Sequence, residues 1–276
     1  MNRIAVLLTC FNRRDVTKIC LERLLELRRD VDVYCVDDKS TDGTFEMIRK
    51  FFPEVNLIIG TGNLFWSRGM RLAWEQALNS NKPYDYYFWL NDDLELYENA
   101  FAELLEGASL FDNNVVISGL VQETITKEPI YGGSFKGHIV RANGEFNPID
   151  HMNGNFVVVP KKVVERIGIL DPVYHHDLGD VDYGFVAKEA GIPVVSSRSY
   201  IGTTNGRLKS PHKRNRRYGT NIINRFKVLY SPLGSNPKIT FHFMKKHKGR
   251  LAASAYFCYV HFINVLPDAI YKIIWK

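Results

Sequence analysis

Two hydrophobic patterns alternate through the first ninety residues: short uninterrupted apolar runs, and longer stretches with apolar residues every third or fourth position. Ile4 to Thr9 (IAVLLT) has no polar face and reads as a buried strand, whereas Asp15 to Leu27 places Val16, Ile19, Cys20, Leu24 and Leu27 near helical spacing. Val31 to Val36 is a second strand, ending in Asp37 and Asp38. Thr41, Asp42 and Gly43 make a turn before a short helix, Thr44 to Phe52, stopped by Pro53. Val55 to Ile59 is a third strand, Gly60 to Asn63 a glycine-rich loop, and Arg68 to Leu78 a helix. The stretch Tyr84 to Glu95 (YDYYFWLNDDLE) then runs from strand formers with no amphipathic break straight into Asn91, Asp92 and Asp93, as expected of a central strand covered on both faces. Strands alternating with helices predict a parallel sheet with crossover helices, a Rossmann-like half.

Beyond that half, Glu98 to Phe111 reads as a helix and Val115 to Val121 as a strand. Gly132, Gly133, Gly137 and Gly144 break up the next segment, as in a hairpin or mobile loop region. Gly154 to Val159 is a strand, Pro160 opens a helix over Lys161 to Ile167, Asp177 to Ala190 is a helix stopped by Gly191, and Pro193 to Ser196 is a short closing strand. The body is expected to end near Gly206.

Composition adds little until it is divided. Across 276 residues, 45% apolar and 24% charged content is ordinary for a soluble globular protein able to bury a core. The amino terminus has too short an apolar run for a signal peptide, and Cys10, Cys20, Cys35 and Cys258 lack zinc-type spacing, so the cysteines read as reduced core residues of a cytosolic protein. The net charge of +6 conceals an asymmetry: residues 207–276 hold 15 Lys and Arg against one acid, Asp268, leaving residues 1–206 at −8. A basic tail on an acidic body implies an anionic partner for the tail.

Four polar clusters follow predicted strands or loops on what should be one sheet edge: Thr9 to Asn12, Asp37 to Asp42, Asn91 to Asp93, and Asp177 to Asp182. In open α/β sheets that edge binds ligands. Adjacent acids at a strand end repel each other unless a cation or donors hold them, and hard oxygen ligands suit Mg²⁺ or Mn²⁺; a polar turn closing the strand is the plain alternative. Absent are a Gly-x-Gly-x-x-Gly turn after the first strand, a Walker loop and a Gly-x-Ser-x-Gly elbow, which disfavours dinucleotide dehydrogenases, P-loop ATPases and serine hydrolases of that type.

The motifs VLLTCFNR, VDDKSTDGT, GTGNLFWSRGMRLAWEQA, WLNDD, NGNFVVVPKKVVERIGILDP and DVDYGFVAKEAGIPV, in this order over residues 4 to about 200, resemble a family 2 glycosyltransferase of the GT-A fold. Within the family the chain is most similar to rhamnosyltransferase-like enzymes of polysaccharide assembly. The resemblance implies a mostly parallel central sheet with flanking helices and a helical C-terminal extension: residues 1–206 as the glycosyltransferase domain (1–93 nucleotide-binding, 94–206 acceptor and catalytic) and 207–276 as the extension. It implies an inverting transfer from a nucleotide-sugar donor, dTDP-rhamnose or a UDP-sugar, to a glycan or lipid-linked acceptor. By that likeness Thr9 and Phe11 hold the nucleobase and Asp38 hydrogen-bonds it, with Asp37 alongside. Asn63 and Arg68 line the nucleotide pocket, Asp92 contacts ribose or the metal shell, and Asp93 coordinates Mg²⁺ or Mn²⁺. Asp180 is the general base, with Asp177 and Asp182 as partners or rivals. Gly179 stands where the family usually has Glu. Trp66 walls the donor sugar site or is simple core, and Asp42 reads as a helix cap. Relatives often add a metal-binding His after the last strand; the matching SYIGTTNG has none, which leaves His175, His176 or His212 as substitutes, an extra water, or weak metal dependence.

The tail combines KSPHKRNRR (Lys209 to Arg217) with the aromatic-rich run Leu251 to Trp275, interrupted by His261, Asn264, Pro267, Asp268 and Lys272. That is a poor spanning helix and a good interfacial one, which predicts peripheral contact with an anionic membrane, at the cytoplasmic inner face; a helix packed on the body or forming a homodimer is the alternative. No nucleic acid is expected as partner. The contrasting reading is a non-catalytic glycan- or nucleic-acid-binding module on the same fold, against which the intact Asp38, Asp93 and Asp180 speak.

Overall fold

The computed structural model describes residues 2–205 and 216–274. It divides into two compact units: Met1–Pro172 with Gly179–Arg207, and Val173–Leu178 with Leu208–Lys276.

The first unit opens with β1 (Ile4–Cys10), α1 (Arg14–Leu27), β2 (Val31–Asp37), α2 (Thr44–Phe51), β3 (Asn56–Ile59), α3 (Phe65–Asn79) and β4 (Tyr86–Asn91). It continues through β5 (Glu95–Leu96), α4 (Ala100–Leu110), β6 (Val116–Glu123), β7 (Pro129–Tyr131), β8 (Ser134–Phe135), β9 (His138–Ile139) and β10 (Phe156–Pro160), then α5 (Lys161–Ile167), α6 (Gly179–Glu189) and β11 (Val194–Thr204). The main sheet has the order β3-β2-β1-β4-β10-β6-β11-β5, with β7 paired to β6, while β8 and β9 form a separate hairpin. From β3 to β4 every pair is parallel; β10 then runs antiparallel to both β4 and β6, so the sheet is mixed beyond its first four strands. Alternation along the strands divides the core. Ile4, Val6, Leu8, Phe88 and Leu90 share one apolar cluster with Cys20, Leu21 and Leu24 of α1 and Leu104 of α4. Ala5, Leu7, Tyr87 and Trp89 share the other with Met70, Ala73 and Trp74 of α3 and Tyr183 of α6. Burial on both faces is why these strands read as continuous apolar runs.

Several boundaries differ from the sequence expectation by a residue or two, and three differences have a readable cause. α3 begins at Phe65, not Arg68, because its first amides are capped by a carboxylate remote in sequence, described below; the local sequence holds no cap signal. α6 begins at Gly179, not Asp177, since Leu178 takes φ +71° and cannot continue a helix. The closing strand is not short: β11 reaches Thr204, with register irregularities between Ser196 and Gly202. Its polar sequence hides it. At the irregularity the buried Ser197 hydroxyl oxygen accepts the Leu120 amide at 2.8 Å and donates to Ser199 O at 2.7 Å, replacing ladder bonds that the bulge removes.

The second unit is helical over Ile222–Leu229, Pro237–Lys248, Arg250–Val265 and Asp268–Ile274. Asn221 and Asn236 cap the first two by accepting the Asn224 and Lys238 amides. The run expected as one interfacial helix is therefore two, broken at Pro267. Arg216 and Arg225 secure the break. Arg216 donates to the Ile263 and Leu266 carbonyls and, at 2.6 Å, to Asp268; Arg225 reaches the Leu266 carbonyl and the same carboxylate, both at 2.8 Å. Leu251, Cys258, Phe262 and Val265 lie exposed on the helix Arg250–Val265, so Cys258 is not the core residue expected of it; Cys10, Cys20 and Cys35 are buried. Most of the basic run, including Lys209 and His212, falls outside the described residues.

Candidate functional site

Parallel register sets the ends of β1, β2 and β4 level, with Cys10 opposite Asp37 and Thr9 opposite Asn91. The loops leaving those ends therefore share one edge. Asp38, directly after β2, is buried, and its carboxylate accepts the amides of Gly62 and Leu64 at 2.8 Å and of Phe65 at 3.1 Å. It thus caps α3 from across the edge, where a negative charge also suits the helix dipole. The cap holds Phe65 at φ +57°, a left-handed conformation that a bulky side chain avoids. Gly60 is required here, because a Cβ would stand 2.5 Å from Asp38 Oδ1.

Asp37 is turned into its own loop, where its carboxylate accepts the Ser40 hydroxyl and amide and burial raises its pKa against those bonds. Asp42 accepts the Arg14 and Thr44 amides, each at 3.0 Å, which is the capping role expected of it. Thr9 donates to Val36 O at 3.2 Å and packs against Gly69 of α3, while Phe11 is 51% exposed. Asn63 is exposed in the glycine-rich loop, and Arg68 donates through Nε to the Pro172 carbonyl at 2.9 Å.

The turn after β4 separates its two acids. Asp92 is buried: Oδ1 accepts Arg13 Nη1 at 2.5 Å, Oδ2 accepts Thr17 Oγ1 at 3.1 Å, and burial still raises its pKa. Asp93 Oδ2 is 3.5 Å from Arg13 Nη2, and its buried Oδ1 has no hydrogen-bond partner among the described residues. An unmet carboxylate oxygen beside a second acid is what a hard divalent cation would satisfy. Asp93 thus fits such an ion, although among the described residues no three His, Cys, Asp or Glu side chains gather around one point as a metal cage.

Trp66 ties this turn to the acid in α6. Its indole Nε1 donates to Asn91 Oδ1 at 2.7 Å, and its ring lies against Gly154, where a Cβ would come within 2.4 Å of Cη2. Gly154 in turn donates its amide to Asp180 Oδ2 at 2.9 Å, and Asp180 Oδ1 accepts Val181 N at 2.8 Å. Asp182 is buried in the first turn of α6. Asp177 belongs to the short segment of the second unit, where His176 Nε2 lies 3.8 Å from its Oδ1. Sequence reasoning missed Arg13, Thr17 and Gly154. Arg13 could have been found, since it follows β1 at the same edge as the acids; Gly154 gave no signal, because its role is room for a ring 88 residues away in chain order.

A mixed sheet flanked by helices, with acidic turns gathered at the ends of β2 and β4, is the GT-A fold. The family model for glycosyl transferase family 2 matches residues 5–168, more than half of the chain, and the chain belongs to that family. No curated protein matches it. Among solved structures it is similar to the mannosyltransferase PcManGT from Pyrobaculum calidifontis in complex with GDP-Man and Mn2+ (TM-score 0.58, 15% identity, covering 99% of this chain and 79% of that one). It is also similar to S. aureus TarS 1-349 (TM-score 0.55, 14% identity, 95% and 90% covered) and to TarS 1-349 in complex with UDP-GlcNAc (TM-score 0.54, 13% identity, 94% and 72% covered). At these identities the likeness is one of fold.

Proposed function

We propose that the protein is an inverting, metal-assisted glycosyltransferase that moves a sugar from a nucleoside-diphosphate donor, dTDP-rhamnose or a UDP-sugar, to a glycan or lipid-linked acceptor in cell-surface polysaccharide synthesis. One observation carries this reading: Asp93, with an unmet buried oxygen, and Asp180, held by the Gly154 amide, are joined through Trp66 at the edge where the Asp38-capped loop ends.

In this reading Phe11 stacks on the base through its exposed ring, and Thr9, Asp37, Asp38, Asn63 and Arg68 shape the nucleotide pocket around it. Asp92 holds its neighbours in place, and Asp93 would ligate Mg²⁺ or Mn²⁺. A bound divalent ion supplies charge neutralisation for the leaving diphosphate. Asp180 takes the proton of the acceptor hydroxyl as that oxygen bonds to the anomeric carbon and the bond from carbon to the diphosphate oxygen breaks on the opposite face. Its two amide bonds fix the carboxylate's direction, and Asp177 and Asp182 stand near it in sequence as alternative acids. Residues 1–93 form the nucleotide half, 94–206 the acceptor half and 207–276 the extension. Among the described residues no helix is long and apolar enough to cross a membrane. The exposed apolar positions of the helix Arg250–Val265, beside Lys245, Lys246, Lys248 and Arg250, support peripheral contact with an anionic membrane at its cytoplasmic face, where a lipid-linked acceptor is presented; a homodimer contact through that face is the competing use.

Thermal shift with UDP, dTDP, GDP and CMP, each with and without Mn²⁺, tests the reading, since specific ligands raise the midpoint by mass action. A metal-dependent rise with dTDP or UDP is expected. No rise with any of the four overturns the donor assignment.

A further inference from the structure

One arginine answers both acids of the turn after β4, and it answers them unequally. Arg13, the last residue before α1, places Nη1 2.5 Å from Asp92 Oδ1 and Nη2 3.5 Å from Asp93 Oδ2. The first contact is a short charge-assisted hydrogen bond to a side chain that is only 5% exposed; the second is long and weak. Thr17 holds the remaining oxygen of Asp92, so that carboxylate has both oxygens engaged. Asp93 keeps a buried oxygen without a partner among the described residues. The Arg13 side chain is itself 46% exposed, so it is anchored to Asp92 while remaining partly open to solvent.

We propose that Arg13 is a resident second cation of the donor site: anchored by Asp92, loosely shared with Asp93, and binding the donor diphosphate beside the divalent ion that Asp93 takes. This rests on the glycosyltransferase reading above. Charge arithmetic gives the role a signature. Asp92, Asp93 and Arg13 sum to −1, and without the guanidinium they sum to −2. A divalent ion then binds more tightly, because one repelling charge is gone, while a diphosphate binds more weakly, because one attracting charge is gone. An arginine that served only to brace the turn would move both affinities in the same direction when removed. Arg13 also lets Asp92 and Asp93 coexist at the end of a buried strand before any ion arrives, which relieves the repulsion that adjacent acids otherwise carry.

The test uses the full chain and Mn²⁺ alone as probe, with free Mn²⁺ read by electron paramagnetic resonance. Arg13→Gln should bind Mn²⁺ about fivefold more tightly than wild type, the size expected for one charge at a half-exposed position. Arg13→Lys, which keeps the charge, should bind it as wild type does, and Arg13→Met serves in place of Arg13→Gln if that variant does not fold. With saturating Mn²⁺, UDP and dTDP should bind Arg13→Gln at least fivefold more weakly, whereas uridine and thymidine, lacking phosphates, should not change. Mn²⁺ affinity that is unchanged or lower in a folded Arg13→Gln overturns the proposal. Asp93→Asn separates the two levels: it should abolish Mn²⁺ binding, and if it does not, the cation assignment fails and the role of Arg13 fails with it.

Discussion

Removing the Asp38 carboxylate should loosen the glycine-rich loop and the start of α3 without collapsing the sheet. Asp38→Ala deletes three hydrogen bonds, to the amides of Gly62, Leu64 and Phe65. Bonds to a charged acceptor contribute about 1.5 kcal/mol each at the lower end of their range, so the gross loss is about 4.5 kcal/mol. Two effects reduce it. The exposed Gly62 amide regains a partner in water, and Phe65, no longer held at φ +57°, relaxes strain of about 1 kcal/mol. A net loss of about 2 kcal/mol remains, which for a unit of this size lowers the melting midpoint by roughly 4–8 °C. Amide exchange read residue by residue is the sharper assay. The Leu64 and Phe65 amides should exchange about 30-fold faster if local opening gains that full amount, while amides inside β4 should slow or quicken only with global stability. Asp38→Asn, which keeps one carboxamide oxygen as acceptor, should fall between the two. Wild-type exchange at Leu64 and Phe65 in Asp38→Ala, with an unchanged midpoint, would refute the claim that this carboxylate caps the helix.

Other outcomes follow from the same geometry. Gly154→Ala puts a methyl within 2.4 Å of the Trp66 ring, so it should cost about 2 kcal/mol, break the bond from Trp66 to Asn91 and shift the tryptophan emission; an unaltered spectrum and midpoint would refute it. Asp180→Asn retains an oxygen for the Gly154 amide but cannot take a proton; turnover should drop at least ~100-fold with nucleotide affinity intact, and normal turnover would remove Asp180 from the base role. Asp268 is held below the ordinary carboxylate range, first by the Gly219 amide and then by Arg216 and Arg225. Its contribution is therefore complete above about pH 4 and lost as pH falls through the lowered native value. Asp268→Asn should destabilise the helical unit by about 2 kcal/mol at neutral pH, because the buried Arg216 loses its counter-charge, and should flatten the acid limb of circular-dichroism melts between pH 7 and pH 3; matching limbs would contradict this.

Much of this was legible in the chain. Buried strands announced themselves as apolar runs, and the acids that end β2 and β4 could be placed at the carboxyl edge from their position alone. β11 was legible only in its first residues, because its buried serines look like a loop until the bulge they patch is seen. The start of α3 was misread for a related reason: its cap is Asp38, 26 residues before the Leu64 amide it accepts.

Local pattern and composition determined the elements, the two apolar faces of the sheet, the set of acids at one edge and the charge contrast between residues 1–206 and the tail. Only the tertiary structure decided how those acids divide: Asp37 and Asp38 accept loop and helix amides, Asp92 is anchored to Arg13 across 79 positions of chain, and Asp93 alone in its turn keeps an unmet buried oxygen. The reason is that a carboxylate's chemistry depends on which donors reach its two oxygens, and here many of those donors arrive from strands and loops that become neighbours only when the sheet assembles.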